Sequence, residues 1–266
     1  DLVSKANGRF KSASISIGHT RWATHGEVTD SNAHPHSSND GTITLVHNGI
    51  IENASELLAK VEQLGYSVNS ETDSELIVHL LHHEISLLPE NTHPLAALRN
   101  TAKLLSGSWA IAAIICGYEE ILFARQGAPL VVGRDHQKIC ISSDVQPLYG
   151  FCSEVAYIED GDIFSLTSSG IFSDDKSTKS PEFCRLEGIA VEEDRGIFSH
   201  MMLKEIHDQP ISLSNVLAGR ISADGKRAGL NGFELSPDKI RKLDRINLVG
   251  CGTAFFAAEA GGDPVL

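Results

Sequence analysis

Two hydrophobic periodicities divide the first 172 residues of the chain. Apolar residues that alternate with polar ones predict strands, and apolar residues spaced three and four apart predict helices. Two predicted helices cover residues 54–64 and 94–105, and residues 69–75 lead into another that runs to about residue 87. Residues 12–25 predict a strand that enters a loop, and further predicted strands cover residues 42–51 with an interruption near residue 48, 109–117, 120–127, 130–144 and 155–173. Strands that flank a helical block indicate a layered α+β domain with antiparallel sheets that ends near Phe172.

The pattern changes beyond this domain. Residues 173–197 are polar and mixed in charge, which predicts a linker, and residues 200–217 predict a helix. Residues 245–260 combine a short apolar strand, a Gly-x-Gly-Thr turn and an alanine-rich helix, an order typical of the start of a parallel α/β phosphate-binding domain. We therefore predict a first domain over 1–172, a linker, and the truncated start of a second domain over 198–266.

Composition restricts the classes of function. The net charge of −13, from 35 acidic and 22 basic residues, argues against binding to nucleic acid or to an anionic membrane. The longest apolar run is far too short to cross a bilayer, and no signal segment is evident. Five cysteines without a paired motif favour a reducing, cytoplasmic location over a disulfide framework or a zinc site. Both ends of the sequence read as cut, so we expect a fragment.

Two sets of polar residues each support two interpretations. An Asn48-Gly49 pair after an apolar strand is typical of a turn. Alternatively, the side-chain amide of Asn48 and the backbone N–H of Gly49 would form an oxyanion hole. Arg21 and Asp73 are either surface charges, with Asp73 as a helix N-cap, or a pair that binds the carboxylate and ammonium groups of a free amino acid.

The histidines predict no metal site. His79, His82 and His83 have a spacing that would grip a metal on a helix, but without an HExxH arrangement we predict a solvated helix face. His34 and His36 flank a proline, and we expect them to line a pocket or to form hydrogen bonds in a loop. No cofactor is predicted.

Seven short motifs occur together in the order that characterises one enzyme family. The motifs are HTRWATHG (19–26), NAHPH (32–36), VHNGIIEN (46–53), SETDSE (70–75), MLKEIHDQP (202–210), GRIS (219–222) and GCGT (250–253). The first four resemble the glutaminase domain of the glutamine:fructose-6-phosphate amidotransferases, also called glucosamine-6-phosphate synthases. The last three resemble the junction and the first strand of their isomerase half.

This resemblance implies both a fold and an activity. It implies an N-terminal-nucleophile hydrolase with an αββα sandwich, incomplete in this sequence, followed by a linker and the first βα unit of an α/β sugar-isomerase (SIS-type) domain. The family hydrolyses L-glutamine to glutamate and passes the ammonia to fructose-6-phosphate, which becomes glucosamine-6-phosphate. The resemblance also implies a homo-oligomer formed through the complete isomerase domain.

The resemblance assigns roles to individual residues. Arg21 would hold the α-carboxylate of glutamine and Asp73 its α-amino group, while Asn48 and Gly49 would form the oxyanion hole. The other implied contacts are Thr24, His25 and His34 in the glutamine pocket, Trp22 near the mouth of the ammonia route, and Cys251 and Thr253 on the sugar phosphate. Ala254 replaces the usual serine of the sugar-phosphate site, which weakens that site.

The nucleophile of the family is the N-terminal cysteine of the mature enzyme, and none of the five cysteines here is terminal. We therefore expect these 266 residues by themselves to be inactive as a glutaminase. One alternative is a non-catalytic glutamine-binding paralogue that pairs with a full-length subunit. A metal-binding module is another. The glutaminase of the phosphoribosyl amidotransferases is a third, although the KEIHDQP and GCGT motifs argue against it.

Overall fold

The computed structural model of the chain describes residues 13–21, 26–136, 138–175, 178–186, 196–217, 237–250 and 256–259. The chain divides into two compact units, residues 1–192 and residues 193–266. All the strands that the structure describes lie in the first unit.

Three helices of the first unit form where the sequence predicts them. They are α1 (Ala54–Gln63), α2 (Asp73–Ser86) and α3 (Leu95–Ala102). Helix α1 buries Leu57 and Val61, which lie one turn apart on the same face. Gly65, with φ of 85°, follows the end of this helix in the left-handed conformation that glycine adopts readily.

The strands of the first unit form two antiparallel sheets. The strands are β1 (His36–Ser37), β2 (Ile43–Ile51), β3 (Gly107–Ile115), β4 (Ile121–Gln126), β5 (Val131–Arg134), β6 (Ile139–Ser142), β7 (Glu154–Tyr157), β8 (Ile163–Thr167), β9 (Gly170–Phe172) and β10 (Cys184–Arg185). The larger sheet has the order β1-β2-β3-β4-β8-β9, and the smaller has the order β10-β7-β5-β6. Strand β10 pairs with β7 although it lies within the predicted linker.

The two faces of the larger sheet pack against different layers. One face carries Leu45 and Ile111 and packs against the helices, for example against Leu80 of α2. The opposite face carries Phe123, which packs against Val132 of the smaller sheet. Since successive strand residues point to opposite faces, this alternation builds an α/β/β arrangement from β2, β3 and β4. In the described residues, the outer face of the smaller sheet is covered only by a short 3-10 helix at 146–148 and nearby loops.

The strand predicted to enter a loop within residues 12–25 does not form in the part of this range that the structure describes. Residues 13–21 form no strand there, although Ile15 and Ile17 are half-buried against the core between the sheets. The alternation of apolar and polar residues therefore reported burial correctly. However, a segment forms a strand only where a neighbouring strand pairs with it through backbone hydrogen bonds, and the alternation carries no information about such a neighbour.

The predicted interruption of β2 at Asn48 and Gly49 is also wrong, because the strand pairs continuously with β3 through Ile51. Asn53 precedes helix α1, where an asparagine typically caps the helix, but its side chain forms no capping hydrogen bond. Its amide instead accepts a hydrogen bond from the N–H of Ser106 at 3.0 Å and donates one to the carbonyl of Leu104 at 2.9 Å. Asn53 therefore joins the start of α1 to the segment that leads into β3.

The second unit contains the predicted helix, α4 (Met201–Leu217), and a short helix, α5 (Pro237–Ile240). The strand predicted at 245–250 does not form, since all six of these described residues are irregular. Residues 251–255 of the predicted glycine-rich turn lie outside the described residues, and residues 256–259 are helical. In neither unit does a described helix have the length and apolarity needed to span a bilayer.

Phe123 tests the core between the sheets, because its side chain is fully buried there. We expect Phe123→Ala to lower the free energy of unfolding by about 3–5 kcal/mol through lost apolar contact and a residual cavity. The matched control is Phe151→Ala, since Phe151 is 64% exposed, and its cost is expected to be below about 0.5 kcal/mol. Urea denaturation measures both, and equal losses would contradict this description of the core.

Candidate functional site

A cavity of about 240 Å³ lies where the end of β2 meets the start of α2. Its lining residues are His19, Arg21, His34, His47, Asn48, Gly49, Ile50, Thr72, Asp73 and Ser74. The structure thus brings to one cavity all five of the sequence-predicted site residues of the first unit that it describes. They come from four separate motifs of the chain, which the sequence alone did not place side by side.

Asp73 is the first residue of α2, and its side chain is buried against β2. Its Oδ2 atom accepts a hydrogen bond from the backbone N–H of Ile51 at 2.9 Å, and the Ser74 hydroxyl donates to Oδ1 at 3.4 Å. The alternative role of Asp73 as an N-cap is therefore wrong, because Thr72 occupies that position. A carboxylate at the N-terminus of a helix is stabilised by the helix dipole, so the buried charge is tolerated here.

Arg21 also lines the cavity, and its backbone has a left-handed conformation with φ of 48°. Its guanidinium donates hydrogen bonds to the carbonyl oxygens of Glu27 at 2.9 Å and Gly26 at 3.4 Å. Glu71 also contacts the loop that contains Gly26 and Glu27. Its carboxylate accepts hydrogen bonds from the N–H of Glu27 at 3.0 Å and from the Asn32 amide at 2.9 Å. These two hydrogen bonds lower the pKa of Glu71.

Asn48 and Gly49 occupy the middle of a paired strand rather than a turn. Gly49 lies opposite Trp109 on β3 and has φ of 117°, a conformation open mainly to glycine. A Cβ atom at this position would overlap the carbonyl oxygen of Ser108 and would lie 2.9 Å from the Cα of Trp109. The turn interpretation is therefore wrong, and the glycine is required by the close approach of β3.

His34 is an uncharged part of the cavity wall. Its ring lies against that of His19, with 4.2 Å between the ring centroids, and its Nδ1 atom accepts the backbone N–H of His47 at 3.3 Å. Its Nε2 atom lies 3.3 Å from the Ser74 hydroxyl. Burial, together with the neighbouring histidines His19, His36 and His47, lowers the pKa of His34 to about 3. The ring is consequently neutral at physiological pH.

His36 and His79 are buried and do not face solvent. His36 lies 2.9 Å from the Thr72 hydroxyl and so forms the expected hydrogen bond, although from strand β1 and not from a loop, and burial lowers its pKa. The predicted solvated face of α2 is wrong at His79, which is fully buried, stacks on Tyr66 and lies 3.4 Å from Glu75. The segment after α1 covers this side of α2, which the helical spacing alone did not reveal.

The other two histidines of the predicted helix face do not converge with His79 on a common point. His82 lies 2.7 Å from the Tyr66 hydroxyl and 3.1 Å from Asp40, and His83 meets Tyr66 only edge-on. Among the described residues, no group of three or more metal-binding side chains is arranged to hold an ion.

Five sequence-predicted site residues lie outside the described residues. They are Trp22, Thr24, His25, Cys251 and Thr253. The cavity is also lined by four residues to which the sequence patterns gave no role, namely His19, His47, Thr72 and Ser74. The period of β2 would have identified His47, because Ile43, Leu45 and His47 occupy alternate, buried positions on the helix-facing side.

Residues 19–150 match the family model of a glutamine amidotransferase domain. This part of the chain, which includes the whole cavity, is therefore a glutamine amidotransferase domain. Over nearly its whole length the chain is homologous to the isomerizing glutamine–fructose-6-phosphate aminotransferases, as the seven sequence motifs predicted.

Three relatives illustrate this homology. The enzyme of Thermus thermophilus is 39% identical over 93% of this chain and 40% of its own length. The enzyme of Clostridium tetani is 35% identical over 98% of this chain and 42% of its own length. The enzyme of Thermotoga maritima is 38% identical over 96% of this chain and 41% of its own length. The chain therefore spans about two fifths of the length of these relatives.

A structural likeness is weaker than the sequence homology. Glutamine phosphoribosylpyrophosphate amidotransferase from B. subtilis has a TM-score of 0.49 and 23% identity, over 59% of this chain and 33% of that chain. The sequence relatives, and not this likeness, carry the assignment.

Gly49 tests the close approach of β3. We expect Gly49→Ala to lower the free energy of unfolding by about 3 kcal/mol, from the unfavourable φ and the overlap with Ser108 together. The matched control is Gly41→Ala, because Gly41 has φ of 73° but open space around it, so only the backbone cost of about 1 kcal/mol applies. Denaturant unfolding measures the loss of stability in both variants. Equal losses would show that the overlap of the new Cβ atom with Ser108 does not lower the free energy of unfolding.

The titration of His34 tests whether its ring is neutral in the folded chain. With its pKa lowered to about 3, its ring protons are expected to show no titration in NMR spectra from about pH 8 to about pH 5. The unfolded chain binds a proton at this residue near its ordinary pKa of about 6.5, whereas the folded chain does not. The contribution of His34 to stability is therefore complete above that pH and decreases as the pH falls towards 3. A ring that titrates near pH 6.5 in the folded chain would contradict this assignment.

Proposed function

We propose that the cavity binds glutamine and that the whole protein hydrolyses its side-chain amide. The observation that carries this proposal is the meeting, in one small cavity, of Arg21, Asp73 and the Asn48-Gly49 pair. A guanidinium matches the α-carboxylate of a free amino acid, and a carboxylate matches its ammonium group. The volume of about 240 Å³ lies below the roughly 300–1,000 Å³ of pockets for drug-sized ligands, which suits an amino acid.

The Asn48-Gly49 pair supplies the groups that amide hydrolysis needs beyond binding. Attack on the side-chain amide places negative charge on its carbonyl oxygen, and hydrogen-bond donors fixed in advance stabilise that charge. Gly49 is held in place by strand pairing with β3, so its backbone does not have to reorganise. The family resemblance gives the attacking thiolate to the N-terminal cysteine of the mature enzyme, which its own amino group activates.

The proposed acceptor of the ammonia is supported by the homology. We propose that the whole protein transfers ammonia to fructose-6-phosphate, that it forms glucosamine-6-phosphate, and that it is a cytoplasmic homo-oligomer assembled through the isomerase domain. The support is the name and the enzyme class of relatives that align with both units of the chain.

Glutamine binding tests the site directly, without requiring turnover. Calorimetry on the chain is expected to show that Arg21→Ala and Asp73→Asn each weaken glutamine binding about 10- to 100-fold, as expected for the loss of a charged hydrogen bond. Asparagine at position 73 retains a carbonyl oxygen for the N–H of Ile51, so the fold is preserved. The control is Arg99→Ala, since Arg99 pairs with Asp174 outside the cavity.

A glutamine analogue without the α-amino group sharpens the experiment. Its binding is expected to be weaker in the unsubstituted chain and to lose nothing further on Asp73→Asn, since the partner of Asp73 is missing. Equal losses for glutamine and the analogue would contradict the assigned role of Asp73.

Product analysis separates the enzyme from the non-catalytic alternative. The protein expressed from its complete natural reading frame is expected to release glutamate and to convert fructose-6-phosphate to glucosamine-6-phosphate. Glutamine binding without glutamate release would favour the glutamine-binding paralogue.

A further inference from the structure

His19 is the residue of the cavity whose hydrogen bonds most directly constrain another site residue. Its Nε2 atom lies 2.6 Å from Oδ1 of Asn48, and its Nδ1 atom accepts the backbone N–H of Arg21 at 2.9 Å. His19 is half-buried, and its ring lies against the neutral ring of His34, with 4.2 Å between the ring centroids and an angle of 31° between the ring planes. Both ring nitrogens of His19 are therefore engaged.

The backbone of Arg21 determines which nitrogen of His19 carries the proton. A backbone N–H only donates, so the Nδ1 atom that receives it must present a lone pair. A neutral imidazole has one N–H group, which must then be on Nε2. His19 is consequently a hydrogen-bond donor towards Asn48.

This tautomer in turn determines the orientation of the Asn48 amide. The atom that receives the Nε2–H of His19 must be an acceptor, so Asn48 presents its carbonyl oxygen on this side. The two N–H bonds of the amide remain for a ligand in the cavity. Without His19, nothing in this chain of hydrogen bonds would prevent the amide from rotating by half a turn, which would place its oxygen where negative charge develops.

We propose that His19 is a positioning residue that holds the Asn48 amide with its N–H groups towards the reacting carbonyl of glutamine. This inference rests on the proposed function, because it assigns Asn48 to the oxyanion hole. His19 itself does not contact the reacting atoms in this account.

The first part of the test is the tautomer, which needs no turnover. Nitrogen-15 NMR of the histidine rings in the chain is expected to show His19 with its proton on Nε2, and the Arg21→Ala variant is expected to retain this state because it keeps the backbone N–H. A proton on Nδ1, or a rapidly exchanging mixture of tautomers, would overturn the proposal.

The second part is kinetic and uses the protein expressed from its complete natural reading frame. His19→Phe keeps a planar ring but removes both nitrogens, and we expect it to lower kcat for glutamate release about 10- to 100-fold, approaching the loss from Asn48→Ala. The dissociation constant for glutamine is expected to change less than about threefold, since the amide acts in the transition state. His19→Gln, which retains an N–H donor, is expected to recover most of the activity.

The double variant distinguishes positioning from a general structural effect. Once Asn48 is alanine, His19→Phe has no amide left to position, so we expect it to cost no further kcat. Multiplied losses in the double variant, or a fall in glutamine affinity equal to the fall in kcat, would overturn the proposal. His83→Phe, on α2 and outside the cavity, is the matched control and is expected to leave kcat unchanged.

The two parts fail separately. If the unsubstituted protein releases no glutamate, the proposed function fails, and with it any role of His19 in the reaction. If it releases glutamate and His19→Phe does so equally fast, only the positioning proposal fails.

Discussion

The hydrogen bond from the backbone N–H of Ile51 to the carboxylate of Asp73 joins the two elements that carry the cavity. It connects the last residue of a central strand to the first residue of the helix that covers it. Since both ends are buried, breaking it would leave the N–H of Ile51 without a partner and would remove one of the hydrogen bonds of a buried carboxylate, and both losses are costly in an apolar environment. The distance between the Asn48-Gly49 pair and Asp73 is fixed as a consequence.

Hydrogen bonds from backbone N–H groups also orient two histidines of the cavity wall. In both His19 and His34, the Nδ1 atom accepts a backbone N–H, which leaves Nε2–H as the donor to a side chain. For His19 the recipient is Asn48, and for His34 it is the hydroxyl of Ser74 beside Asp73. Main-chain N–H groups thus determine which ring nitrogen donates a hydrogen bond, and so which atom of the next side chain must accept it. Backbone donors suit this purpose because they do not titrate or rotate.

The sequence predicted the layered α+β class and the helices well, because amphipathic spacing reports directly on a buried face. It misplaced features that depend on partners distant in the chain. Gly49 reads locally as half of a turn, yet its φ is imposed by β3, some sixty residues later in the sequence. Asn53 has the sequence signature of a cap, but its amide instead binds the backbone around residue 105. Local propensity does not include such long-range contacts.

The candidate site was predictable in its residues more than in its geometry. The motifs identified Arg21, Asp73, Asn48 and Gly49, and the structure adds their convergence on one cavity. His19 was visible within a motif, but its function depends on two hydrogen bonds that no residue pattern specifies. Buried rings also take their protonation from their surroundings, so the neutrality of His34 required the packed structure.

The most direct measurement is a crystal structure of the chain with glutamine bound. The account predicts the α-carboxylate of glutamine on the Arg21 guanidinium, its ammonium group on Asp73, and the oxygen of its side-chain amide towards the N–H groups of Asn48 and Gly49. Glutamine bound elsewhere, or bound with its side-chain amide oxygen directed away from Asn48 and Gly49, would contradict it.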